Sequence, residues 1–187
     1  MKIYIVLLRG INVGGKNKVP MGELRGCLED LGYVNVLTYI ASGNVIVQTD
    51  KSAEVVKAEV EKSLPLKFQL DSELIKVLVL TQDQLQSIVD SKPENFGDHP
   101  EKYHSDVIFL MDVGTKEAMS AFSPREGVDA VWPGSGVVYS RRLSTERTKS
   151  RLNRIVISPY YKSMTIRNWS TTQKLLEIVK TLVKEKQ

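Results

Sequence analysis

Apolar residues crowd into Ile3 to Leu8, thin out for a dozen positions, and return every three or four places as Met21, Leu24, Cys27, Leu28 and Leu31. The first pattern is that of a buried strand, the second that of an amphipathic helix. Pro20 opens the helix and Gly32 ends it. Two further strand-like runs, Asn35 to Ile40 and Asn44 to Thr49, flank Ala41-Ser42-Gly43 and predict an antiparallel hairpin. Ser52 caps a helix expected to run through Ser63 and stop before Pro65, and Ile75 to Leu80 reads as another strand. Residues 1–81 therefore read β-α-β-β-α-β.

The order then repeats. Thr81-x-x-Gln84 is a capping box ahead of a short helix bearing Leu85, Ile88 and Val89, and the polar stretch Lys92 to His104 is a loop. Val107 to Met111 predicts a strand and Thr115 to Phe122 a helix. Val128 to Trp132 and Val137 to Arg141 predict a second hairpin around Pro133-Gly134-Ser135-Gly136. Thr145 to Ile157 reads as a helix, Met164 to Ile166 as a strand, and Ser170-x-x-Gln173 as the cap of a final helix. An antiparallel sheet with helices on one face satisfies each half. The expected fold is α+β, with two ferredoxin-like plaits: residues 1–81, and residues 82–187 with an extra C-terminal helix.

Charge changes the picture through its distribution. The chain has 187 residues and a net charge of only +4. Yet Arg9 to Lys18 holds three cations and no acid, and Arg141 to Arg154 holds six cations against Glu146 alone. Such clusters call for an anionic partner or for water. No apolar run is long enough for a membrane span, the amino-terminal run lacks a signal-peptide cleavage pattern, and the single Cys27 cannot form an intramolecular disulfide. A cytoplasmic protein with no membrane association is expected.

The densest candidate chemistry is Arg9-Gly10-Ile11-Asn12-Val13-Gly14-Gly15-Lys16-Asn17-Lys18, between a strand and a helix. Glycine admits positive φ at no steric cost, and amides left open at such a turn point at negative charge. Gly10 to Lys16 has P-loop spacing, and Asp112 stands where a metal-holding acid would. But Asn17 lacks the hydroxyl that binds Mg²⁺, the helix starts too late, and the Ser42-Gly43 hairpin breaks the parallel sheet such enzymes use. The stretch Arg167-Asn168-Trp169-Ser170-Thr171-Thr172-Gln173-Lys174 gathers hydroxyls and two cations at a helix start. Lys174 opposes the helix dipole there by roughly 0.3–1 kcal/mol, a cost that a bound anion would offset. Arg147, Arg151 and Arg154 share one face of the helix expected over 145–157 and fit a phosphate backbone.

The signatures Leu7-Leu8-Arg9-Gly10-Ile11-Asn12-Val13-Gly14-Gly15, Tyr39-Ile40-Ala41-Ser42-Gly43-Asn44-Val45 and Thr165-Ile166-Arg167-Asn168-Trp169 resemble those of the bacterial domain-of-unknown-function 1697 family. Thr171 and Lys174 extend the third. The resemblance implies paired ferredoxin-like modules in an uncharacterised cytoplasmic protein, with no assigned reaction. Arg151 departs from the lysine usual in the family after a serine, which keeps the cation and alters its geometry.

The expected function is binding of a phosphorylated or other anionic small ligand through Arg9, Asn12, Gly14, Gly15 and Lys16, with Ser42 and Asn44 from the hairpin. Arg167, Asn168 and Lys174 would complete that site or form a second one. One alternative is a phosphate-ester or acyl-phosphate hydrolase using Arg9 with Asn12 or Asn44, by fold analogy alone. Another is a nucleic-acid binder using Arg147, Arg151 and Arg154. That binder would lack sequence-specific single-strand readout, since Val45, Ile46 and Val47 occupy the strand where stacking rings would stand. His99 and His104 lie with Asp98 and Glu101 in a loop, but their spacing fits no zinc template. No cofactor and no metal are expected; ligand identity and oligomeric state have no signature in the chain.

Overall fold

The computed structural model describes residues 1–184. Its elements are β1 (Lys2–Leu8), α1 (Met21–Asp30), β2 (Val34–Tyr39), β3 (Asn44–Thr49), α2 (Ala53–Lys67), β4 (Val77–Thr81) and α3 (Gln82–Asp90). β5 (Tyr103–Leu110), α4 (Thr115–Ser120), β6 (Asp129–Gly134), β7 (Val137–Leu143), β8 (Met164–Asn168) and α5 (Trp169–Lys184) follow. Two four-stranded antiparallel sheets result, with orders β2-β3-β1-β4 and β6-β7-β5-β8. Both place the first and third strands of their repeat at the centre, the ferredoxin-like arrangement. Two compact units form: Met1–Leu85 with α5 from Leu175 onward, and Gln86–Lys174.

In the first unit, alternation along the strands divides the sheet into two faces. Tyr4, Val6, Leu8, Val45 and Val47 pack with Leu24 and Leu28 of α1 and Val56, Val60 and Leu64 of α2. Ile5, Leu7, Asn44, Ile46 and Gln48 point the other way and are equally buried. A plait with one covered face would leave these wet; this one does not. α2 runs through Pro65 to Lys67, past the expected stop, because Leu64 and Phe68 stay buried and the Phe68 amide still reaches the Leu64 carbonyl at 2.9 Å. The β2–β3 turn needs Gly43: at φ 77° its backbone lies so close to Leu8 that a Cβ would meet Leu8 Cβ at 2.8 Å.

In the second unit, Ile108, Leu110, Val138 and Met164 form a core with Ala118 of α4. On the opposite face Phe96 stands edge-on to Trp132, Tyr139 and Trp169, with centroids 6.1, 5.0 and 5.2 Å away. The Tyr139 hydroxyl donates to the Ile88 carbonyl at 2.6 Å, and burial raises its pKa to about 12.

The helix expected over 145–157 does not form. Short 3₁₀ turns at Ser144–Glu146, Leu152–Ile157 and Tyr161–Ser163 replace it. The Arg151 amide donates to Asp129 Oδ2 at 2.8 Å and the Leu152 amide to Ser150 Oγ at 3.3 Å, so neither bonds back along a helix. Thr145, Thr148, Ser150 and Asn153 give little local support against that capture.

Candidate functional site

The glycine-rich loop of the first unit closes on itself. Val13 and Lys16 form an isolated bridge around Gly14 and Gly15, whose φ of 59° and 78° suit a two-residue hairpin turn. The Asn12 amide donates to the Asn17 carbonyl at 3.0 Å, and the Lys16 amide to the Val13 carbonyl at 3.1 Å. The Arg9 amide reaches the Lys76 carbonyl at 2.9 Å. The loop's asparagines hold it in place. Asn12 Nδ2 donates to the Val19 and Ala41 carbonyls at 2.8 Å each, and its Oδ1 accepts from the Val19 amide at 2.8 Å. Buried Asn17 donates from Nδ2 to the Gly10 carbonyl and Ser72 Oγ, and its Oδ1 accepts from the Asp71 and Ser72 amides, all at 3.0 Å. Asp71 Oδ2 in turn accepts from the Asn17 amide at 2.6 Å.

The neighbouring hairpin is built the same way. Fully buried Asn44 donates from Nδ2 to the Tyr39 carbonyl and to Ser42 Oγ, both at 3.0 Å. Asn12, Ser42 and Asn44 thus brace two turns. The loop offers a tip: Val13, Gly14, Gly15, Lys16 and Lys18 are exposed, and Arg9 is half-buried. No P-loop geometry arises, because α1 begins only at Met21 and the sheet is antiparallel.

The second candidate group gathers where β8 passes into α5 in the second unit. The expected cap shifts by two residues: Asn168 Oδ1 accepts from the Ser170 amide at 3.0 Å and from its hydroxyl at 2.7 Å. α5 therefore starts at Trp169, and Ser170 lies inside its first turn. Arg167 is 5% exposed and donates from Nη1 to Thr165 Oγ1 at 2.9 Å and to the Ile166 carbonyl at 2.8 Å; burial pulls its pKa down to about 10. It braces the strand beneath the helix start. Asn168, Ser170 and Gln173 line a cleft of about 280 Å³ with His104, Ser105, Tyr103 and Trp169, while Lys174 is not among the lining residues. His104 Nε2 lies 3.1 Å from Asp106 Oδ1. Neither residue was marked by a motif; the available signal was a carboxylate interrupting the alternation of β5.

Arg147, Arg151 and Arg154 are exposed; Arg147 follows one 3₁₀ turn while Arg151 caps and Arg154 lies within the next, so the three do not line one helix. His99 Nδ1 lies 3.2 Å from Glu101 Oε1 in the open. Among the described residues, no three His, Cys, Asp or Glu side chains gather where they could hold a metal ion. Among the described residues, no helix is long and apolar enough to cross a membrane.

Comparison with known proteins adds the fold's relatives. A conserved bacterial protein, SP0830 from Streptococcus pneumoniae, superposes with a TM-score of 0.77 at 23% identity over 94% of this chain and 97% of its own. At that identity the likeness establishes a shared fold. No curated protein matches the sequence. Residues 1–139 match the DUF1697 family, described as proteins of unknown function. That match takes in the stapled glycine loop, the Asn44 hairpin, β5, β6 and the start of β7, so the chain belongs to the DUF1697 family.

Proposed function

We propose that the protein binds a small anionic ligand, and that the ligand sits in the cleft at the start of α5. The observation that supports this reading is the set of donors facing one concavity: Ser170 and Gln173 from the first turns of a 16-residue helix, with Ser105 from β5. Helix N-terminal partial charge and oriented donors favour negative charge at such a position. Titration with inorganic phosphate and with nucleoside monophosphates, followed by amide NMR, tests the reading. Shifts centred on Ser170 to Gln173 that disappear in Gln173→Glu support it; shifts absent from this region at tens of millimolar phosphate overturn it.

The stapled loop supports a second reading. Its asparagines fix the turn while Lys16 and Lys18 stay exposed, so a preorganised cationic tip could recruit an anion at low entropic cost. Shifts confined to Gly14 through Lys18, abolished in the double variant Lys16→Glu with Lys18→Glu, would select it over the cleft.

A further inference from the structure

The same unit holds a second hollow. It lies between one face of the sheet and the 3₁₀ segment Leu152–Ile157, and encloses about 140 Å³. Ile108, Phe122, Leu152, Ile155 and Ile166 give it an apolar wall. Three polar side chains from β5 and β7 face it. Asp106 stands opposite Ser140 in the antiparallel register, and Arg142 is two residues further along β7, on the same face.

Their pairing is unusual. Asp106 and Arg142 are diagonal neighbours of opposite charge, a placement that normally favours a cross-strand pair. They form none. Asp106 engages only His104, through Oδ1, and Arg142 makes no ion pair or hydrogen bond among the described residues. The Ser140 hydroxyl between them is also without a partner, although the residue is only 3% exposed. The wall therefore holds a carboxylate tied only to His104, a hydroxyl and a fork of donors in sequence over an apolar surface.

We infer that this hollow binds a free aliphatic α-amino acid. Its carboxylate would meet the Arg142 guanidinium, its ammonium Asp106 Oδ2, and the Ser140 hydroxyl would bridge the two. The aliphatic side chain would lie against Ile108, Leu152, Ile155 and Ile166. Size supports the class: drug-sized ligands occupy roughly 300–1,000 Å³, so a nucleotide or sugar phosphate is too large, whereas a single branched amino acid is of the right scale. This hollow shares no lining residue with the anion cleft, although His104 of that cleft pairs with Asp106.

Isothermal titration of the full chain with L-leucine, L-valine, 4-methylpentanoate and 3-methylbutylamine tests it. The expected result is saturable binding of at least one amino acid. Affinity should fall at least about tenfold for the analogue lacking the ammonium and for the one lacking the carboxylate, and likewise in Arg142→Gln. The truncated ligands keep the test valid should a variant fail to fold. Absence of binding at 10 mM of either amino acid, set as about a hundredfold above a typical 0.1 mM affinity, overturns the assignment. So does equal affinity for the amine or acid alone, or wild-type affinity in Arg142→Gln. An anion effect at Ser170 without leucine binding would leave the cleft standing and remove this site.

Discussion

Asn12 holds a left-handed backbone at φ 55° while its side chain bonds Val19 on both sides and ties the loop to Ala41. Asn→Ala there loses three hydrogen bonds and places a Cβ in an unfavourable conformation. The residue is exposed, which lets water replace part of the loss, so about 1–3 kcal/mol of stability should go, read from urea midpoints. A wild-type midpoint would show that the staple contributes nothing. Glu59 is the other decisive single residue. Burial alone would raise its carboxyl, but hydrogen bonds from Lys51 and Tyr33 and the Lys51 charge hold it below the usual carboxylate range. A depressed folded-state pKa gives stability that is present above the unfolded value and lost as pH falls through the folded one. The wild type should therefore lose stability more steeply than Glu59→Gln between about pH 5 and pH 3. Parallel slopes for the two proteins would remove the linkage. Sequence reading found the loop but not the staples that its asparagines form, and distance explains why. Asn17 answers to Asp71 and Ser72, and Asn12 to Ala41, partners 54, 55 and 29 residues away. A short polar residue beside glycine reads equally well as ligand donor or staple until those partners are known.

Elements governed by local bonds were legible; elements captured from a distance were not. The Thr81 capping box forms as expected, with the Thr81 amide donating to Gln84 Oε1 at 2.8 Å and the Gln84 amide to Thr81 Oγ1 at 3.2 Å. The strands followed from their apolar patterns, most plainly β1 and β3, which are buried on both faces. The segment after β7 failed because Asp129, 22 residues upstream, takes the Arg151 amide, and no helical pattern within 145–157 announces that competitor. At α5 the sequence pointed to Ser170 as the cap, and the geometry places Asn168 there instead. Asn168→Ala should cost about 0.5–2 kcal/mol, the usual loss for an N-cap side chain, and Ser170→Ala should cost clearly less. Thermal unfolding of the two variants measures the difference. Equal losses would return the cap to Ser170. The candidate cleft depends on this same placement, because the cap orients the turn that carries Ser170 and Gln173.

At the scale of the molecule, the first sheet has two buried faces, and α1 and α2 account for one of them. On the other, Ile5 and Leu7 are fully buried and Ile46 is 1% exposed. The first unit reaches across the sequence to include α5 from Leu175, and Val183 lines a shallow hollow with Ile3, Tyr4 and Thr81. A fragment ending at Leu85 keeps all four strands and both helices of that plait, but not this segment. Exposing three large aliphatic side chains forfeits roughly 5–9 kcal/mol at about 1.5–3 kcal/mol each. Small domains are stable by only about 5–15 kcal/mol in total. The fragment 1–85 should therefore lack a cooperative urea transition and bind a hydrophobic dye, whereas the chain through residue 184 should show neither defect. A sharp transition in the fragment, at the midpoint of the longer chain, would mean that the second face needs nothing from α5. The two repeats would then be separable plaits, as the β-α-β-β-α-β pattern alone suggests, rather than units that share a helix.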